Sequence, residues 1–265
     1  MSTTGSHTAS ISVADRPRAT QGRLALVPRN FDNHATRKSL PTGIVTLLLA
    51  DIEGSTRIWE TQPREMAAAL AAMDRVLAEL VNATHGVCPI EQGEGDSFVV
   101  AFTSASDAVM CALALQEAVP SLIRLRIGVH TGEVQLRDEG KYMGPTINRA
   151  ARLRELGHGG QTLLSGTTRD LVFGVLPDRA WLTDLGRHSL RDLSSPERVA
   201  QLSHRNLRNH FPPLRIRTTE DAVKPVVHRN RFHRTDLRRS AGVRTDKILG
   251  AVRNRLADYL NPDFT

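Results

Sequence analysis

Ile44-Val-Thr-Leu-Leu-Leu-Ala50 followed by Asp51-Ile-Glu-Gly-Ser-Thr56 is the stretch on which the fold turns. The first segment is a short apolar run with β-branched members, which predicts a buried strand. It stops at a carboxylate and a polar turn. A buried strand ending in Asp is unusual, because an unpaired charge out of water is costly.

Downstream, Met66, Leu70, Met73, Leu77, Leu80 and Val81 recur at helical spacing behind Pro63, which suits a first helical turn, and His85-Gly86 stops the pattern. Val87-Cys-Pro-Ile90 and Phe98-Val-Val-Ala-Phe102 then predict a hairpin around the charged tip Gln92-Gly-Glu-Gly-Asp96. Ser106-Asp107 is a candidate N-cap for a second helix with Val109, Ala112, Leu113 and Leu115 on its apolar side. Leu125 to His130 reads as a strand that Thr131-Gly132 turns into Glu133-Val-Gln-Leu136. Gly144-Pro145 opens a third helix carrying Ile147, Ala150, Ala151, Leu153 and Leu156, stopped by Gly157-His-Gly-Gly160. A strand Gln161 to Ser165 and a short helix from Thr167 to Phe173 follow. The order βαββαβ predicts an α+β, ferredoxin-like sandwich with C-terminal extensions, and residues 41–203 are long enough for it.

The flanks differ in charge from this body. Of the net charge of +7, residues 1–40 carry +4, residues 41–203 carry −5 and residues 204–265 carry +8. The first 40 residues lack periodicity and read as a basic leader without order. Residues 204–265 read as a basic extension, within which Ile248, Val252, Leu256 and Leu260 predict an amphipathic helix over 246–260. Basic ends of this kind are either solvated tails or attractors of nucleic acid, anionic lipid or an acidic partner. No apolar run approaches the roughly 20 residues of a transmembrane segment, and no secretory signal is seen. Cys88 and Cys111 fit neither a disulfide framework nor a metal spacing, which points to a reducing cytoplasm.

Asp51 and Asp96 stand beside small or backbone-permissive residues at strand and hairpin ends. Each alone is an ordinary turn or cap residue. Together they offer hard oxygen ligands of the kind that hold Mg²⁺ with substrate phosphates. Asn148 and Arg152, four residues apart, share a helix face, where one orients a substrate group and the other meets phosphate charge, unless the face is only a solvated polar surface.

Four ordered blocks carry a resemblance: Asp51-Ile-Glu-Gly-Ser-Thr56, Gly95-Asp96, Arg126-Ile-Gly-Val-His-Thr-Gly132 and Tyr142-Met-Gly-Pro-Thr-Ile-Asn-Arg-Ala-Ala-Arg152. Over residues 42–203 the chain closely resembles the catalytic domain of class III adenylate and guanylate cyclases. Leu185 to Leu193 and Phe211-Pro-Pro-Leu214 are similar to the tail of actinobacterial members. The resemblance implies a homodimer with shared active sites that converts a nucleoside triphosphate, ATP by default, to a 3′,5′-cyclic nucleotide and pyrophosphate. It implies that Asp51, Asp96 and the Ile52 carbonyl hold two Mg²⁺ or Mn²⁺ ions. Gly54, Ser55 and Thr56 would offer N–H groups to the β- and γ-phosphates, and the partner chain would supply Asn148 and Arg152. The purine-reading positions depart from the family pattern: they hold Gln92 and Lys141 in place of the adenylate-cyclase Lys and Asp. Gln donates and accepts, whereas Lys only donates, so Lys141 suits guanine O6 better than the adenine amino group. Two rivals remain at this level, a non-catalytic cyclase-like module and an RNA-binding ferredoxin-like protein. The latter lacks interleaved aromatics for stacking bases.

Overall fold

The computed structural model describes residues 39–89, 95–137 and 140–216, with Gly250 beyond them. The leader 1–38, Gln92 and, Gly250 apart, the helix expected over 246–260 lie outside the described residues. The elements run β1 (Gly43–Ile52), α1 (Ser55–Thr61), α2 (Pro63–Ala83), β2 (Ser97–Phe102), α3 (Ala105–Ala118), β3 (Leu125–Arg137) and β4 (Lys141–Met143). They continue with α4 (Pro145–Leu156), β5 (Thr162–Ser165), α5 (Gly166–Val172), β6 (Ala180–His188) and β7 (Glu197–His204).

One seven-stranded sheet has the order β2-β1-β3-β5-β7-β6, with β4 paired to β3. β1 is antiparallel to both of its neighbours. Val87 bridges Ala101 on the other side of β2, so the order β3, β1, β2 and the Val87 segment is the ferredoxin-like one. Of the expected strand Val87 to Ile90, that single bridge is what the described residues retain.

Val45 to Ile52 are all buried, because β1 is covered on both faces. Leu48, Ala50 and Ile52 pack with Met73, Leu77 and Leu80 of α2 and with the buried side of α3. The alternate residues Val45, Leu47 and Leu49 pack with Val99, Ala101 and Ala150, on the side where α4 lies. This alternation decides where Asp51 sits. As the next member of the Val45, Leu47, Leu49 series, it belongs to the α4 side of the sheet.

Two local expectations are corrected. The N-cap of α3 is Ser104, whose hydroxyl accepts from the Asp107 N–H at 3.4 Å; its backbone is extended (φ −122°, ψ 129°), whereas Ser106 is already inside the helix. Thr131-Gly132 makes no turn, and β3 runs unbroken for 13 residues. The Thr131 hydroxyl is spoken for, sharing hydrogen bonds with Thr46 Oγ1 on β1 at 2.9 Å and Thr168 Oγ1 on α5 at 3.0 Å. A Cβ at Gly132 would lie 2.9 Å from Thr146 Oγ1, so this glycine serves a close approach of α4. The chain reverses only between β3 and β4.

His130, also buried, exchanges a hydrogen bond with Ser165 Oγ at 2.8 Å. Burial, only partly offset by Glu197 and reinforced by Arg149, pushes its imidazolium pKa down to about 4. The unfolded chain therefore takes up a proton near the ordinary value of 6.5 while the folded chain does not. Stability should be fully present above about pH 6.5 and fall as the pH drops toward 4, by about 3 kcal/mol from this group. Urea midpoints across that window should show the loss in wild type, and a His130→Gln chain should show a flatter profile.

Candidate active site

β1 carries Asp51 to the end of the sheet with Ser97 directly opposite on β2 and Arg126 directly opposite on β3. Asp96, one residue before Ser97, enters the same cluster, and its charge acts on Arg126. The two candidate metal-ligating carboxylates are thus brought to one strand end. Asp51 is 8% exposed. Arg126 donates Nε to Asp51 Oδ1 at 2.7 Å and Nη2 to Oδ2 at 2.6 Å, a two-pronged pair. Burial works against the charge on Arg126, but the bonds and charge of Asp51, with Glu53 and Asp96, outweigh it and raise its pKa. A second guanidinium approaches from α4, with Arg154 Nε 3.4 Å from Asp51 Oδ2.

The turn after β1 is built for tight passage. Gly54 has φ 69°, the left-handed region that Gly enters without strain, and α1 begins at Ser55. Glu53 contacts Arg215, which also reaches His158 Nδ1 at 3.3 Å, so residues 213–216 strap back beside the turn. Burial works against the Glu53 carboxylate, yet the Gly159 N–H, Arg215 and Arg124 together lower its pKa.

Asn148 and Arg152 do not join this cluster within the chain. Asn148 is exposed on α4. Arg152 bonds Glu155 at 2.8 Å, Asp192 at 3.0 Å and the Arg191 carbonyl at 3.2 Å. Lys141 opens β4 next to Tyr142, whose hydroxyl donates to the Pro41 carbonyl at 2.8 Å. Cys111 is buried in the core, and burial pushes its thiol up to about 12, too high for a nucleophile despite its bond to Thr84.

Among the described residues no group of three or more His, Cys, Asp or Glu side chains is arranged to hold a metal. The donor set at hand is two carboxylates with neighbouring carbonyl oxygens. That set suits a hard divalent cation which takes its remaining ligands from phosphates and water. The hard oxygen donors of Asp51 and Asp96 fit such an ion, which would share the Asp51 oxygens with the Arg126 guanidinium that holds them here.

Arg126 and Arg154 have no assigned role in the sequence reading. Arg126 lay inside a motif, but its role depends on the β1–β3 register, which places it opposite Asp51. Arg154 lay two residues past Arg152 with nothing in its spacing to separate it from a solvated helix face.

Residues 38–173 match the adenylate and guanylate cyclase catalytic domain. The Mycobacterium tuberculosis protein Rv0891c is 61% identical over 175 residues, 66% of this chain and 61% of that protein, so the match spans less than two thirds of the relative. The receptor-type adenylate cyclase GRESAG 4.3 of Trypanosoma brucei brucei is 30% identical over 233 residues, 70% of this chain and 19% of that protein. A solved Trypanosoma brucei adenylate cyclase in its monomeric state superposes with a TM-score of 0.58 at 27% identity, covering 71% of this chain and 100% of the other. With the ferredoxin-like sheet order and the paired carboxylates in place, these matches mean that the chain belongs to the adenylate and guanylate cyclase catalytic domain family.

Proposed function

We propose that the protein is a metal-dependent nucleotidyl cyclase, working as a homodimer in the cytoplasm, which closes a nucleoside triphosphate to its 3′,5′-cyclic monophosphate and releases pyrophosphate. The observation that carries this reading is the separation of the residues: Asp51, Asp96 and Arg126 share one strand end, while on α4 Asn148 is exposed and Arg152 is bonded to Glu155 and Asp192. A site that needs both sets is completed by a second chain.

In that site Asp51, Asp96 and the Ile52 carbonyl hold two Mg²⁺ or Mn²⁺ ions. When bound, these ions supply the positive charge that acidifies the ribose 3′-hydroxyl and neutralises the triphosphate. The N–H groups of Gly54, Ser55 and Thr56 receive the β- and γ-phosphates at the start of α1. Asn148 from the partner orients the ribose. Arg152 from the partner meets the charge that grows on the α-phosphate in the transition state. Arg126 keeps the Asp51 carboxylate aimed before the substrate arrives.

Gln92 and Lys141 are the base-reading pair in this proposal, and ATP is the default substrate. With neither side chain matched to adenine, discrimination against GTP should be weak, within about tenfold, since a missing base hydrogen bond is worth about 1–3 kcal/mol. The deciding assay is purified protein with Mn²⁺ and each of ATP and GTP, the cyclic product resolved by mass. A second reading, a non-catalytic cyclase-like module, draws support from the occupation of both Asp51 oxygens by Arg126 and from Lys141. Product from neither nucleotide would favour it.

The division of residues between chains gives a separate expectation. An inactive Asp96→Asn chain mixed with an inactive Arg152→Ala chain should regain up to about a quarter of wild-type activity, because random pairing yields half heterodimers with one intact site each. No recovery under conditions of proven subunit exchange would count against a shared site.

A further inference from the structure

We propose that Arg154 is a resident cation at the Asp51 end of the site, competing with the divalent ion for the same carboxylate and thereby setting how readily metal loads; this rests on the cyclase reading of Asp51. Arg126 alone satisfies both oxygens of Asp51, at 2.7 Å and 2.6 Å. Arg154 is therefore surplus to the pairing, yet its Nε sits 3.4 Å from Oδ2. That Nε is buried and makes no hydrogen bond. A buried donor left without an acceptor is retained where something compensates it, and here the compensation is the charge of Asp51.

Arg154 also has little freedom to withdraw. A Cβ built on Gly128 of β3 would lie 2.5 Å from the Arg154 backbone nitrogen and 3.0 Å from its Cα. α4 is thus seated directly on β3 at this residue, and its side chain leaves from a fixed point beside the carboxylate. With Arg126 and Arg154 present, the charges of Asp51 and Asp96 are balanced before any metal arrives. A divalent ion entering there meets two guanidinium groups of its own sign. Arg154 is a positioning residue for Asp51, and its effect falls on metal affinity ahead of chemistry.

The test counts free Mn²⁺ by electron paramagnetic resonance against the nucleotide-free full-length protein, with melting followed by circular dichroism to confirm folding. Arg154→Gln should bind Mn²⁺ at least about tenfold more tightly than wild type, because a like charge has been removed next to the ion. Arg154→Lys, which keeps the charge, should bind as wild type does. Adding Asp51→Asn to Arg154→Gln should abolish the gain. If the Gln variant does not fold, Arg154→Met, which keeps the apolar stem, gives the same comparison. Equal affinity in wild type and the neutral variant, with both weakened by Asp51→Asn, would overturn the role of Arg154 and leave the metal site standing. Mn²⁺ binding that ignores Asp51→Asn in every background would overturn the metal site and this proposal together.

Discussion

Asp51→Asn should lose at least about a hundredfold of cyclase activity, about 2.7 kcal/mol of transition-state stabilisation. Asp96→Asn should lose a comparable amount, because both carboxylates serve the same ions in the proposed site. Their stabilities should part. Asp51 lies between Arg126 and Arg154, and neutralising it leaves two half-buried guanidinium groups without their counter-charge. Breaking a buried pair in this way costs about 3–5 kcal/mol. Asp96 is only partly buried, at the open end of β2, so its replacement should shift the urea midpoint far less. Initial rates with Mn²⁺, taken on protein shown to be folded, are the measurement. Either variant retaining more than about a tenth of the wild-type rate sinks the metal assignment.

Gly128→Ala should be the most damaging of the single-methyl changes. The added Cβ would stand 2.5 Å from the Ala150 carbonyl oxygen and 2.5 Å from the Arg154 nitrogen. Both are backbone atoms of α4, so no rotamer change relieves the clash and the helix as a whole must rise. α4 buries Ala150 and Leu153 completely and ties Arg154 to Asp51 and Arg149 to Glu197. Overpacking at such a contact costs about 3 kcal/mol or more. A Gly174→Ala chain, where nothing lies within 4 Å of the new methyl, is the matched control and should change the midpoint little. If the two variants melt together, α4 is not seated on β3 as described.

The strand Ile44 to Ala50, the helix behind Pro63 and the helix behind Gly144-Pro145 were legible because each is local: apolar spacing and a capping or breaking residue suffice to define it. The same holds for the βαββαβ order, since sequential elements with short links leave few topologies. The candidate carboxylates were legible as residue types at strand ends, and the four ordered motifs tied them to a family. Thr131-Gly132 was misread for the complementary reason. A Thr-Gly pair signals a turn in one dimension, and only the approach of Thr146 from α4 shows that the glycine makes room for a helix.

What the chain determines by itself is therefore its element order, its core faces and the placement of Asp51 at a strand end and Asp96 on the turn before the next strand. Tertiary structure alone decides which cations face Asp51. Arg126 arrives through the β1–β3 register, Arg154 through the seating of α4 on Gly128, and Arg152, on the same helix, is drawn off to Asp192. The physical reason is that charge pairing depends on distances of a few ångströms between residues 40 to 103 positions apart in the chain, and no periodicity in a sequence encodes such a distance.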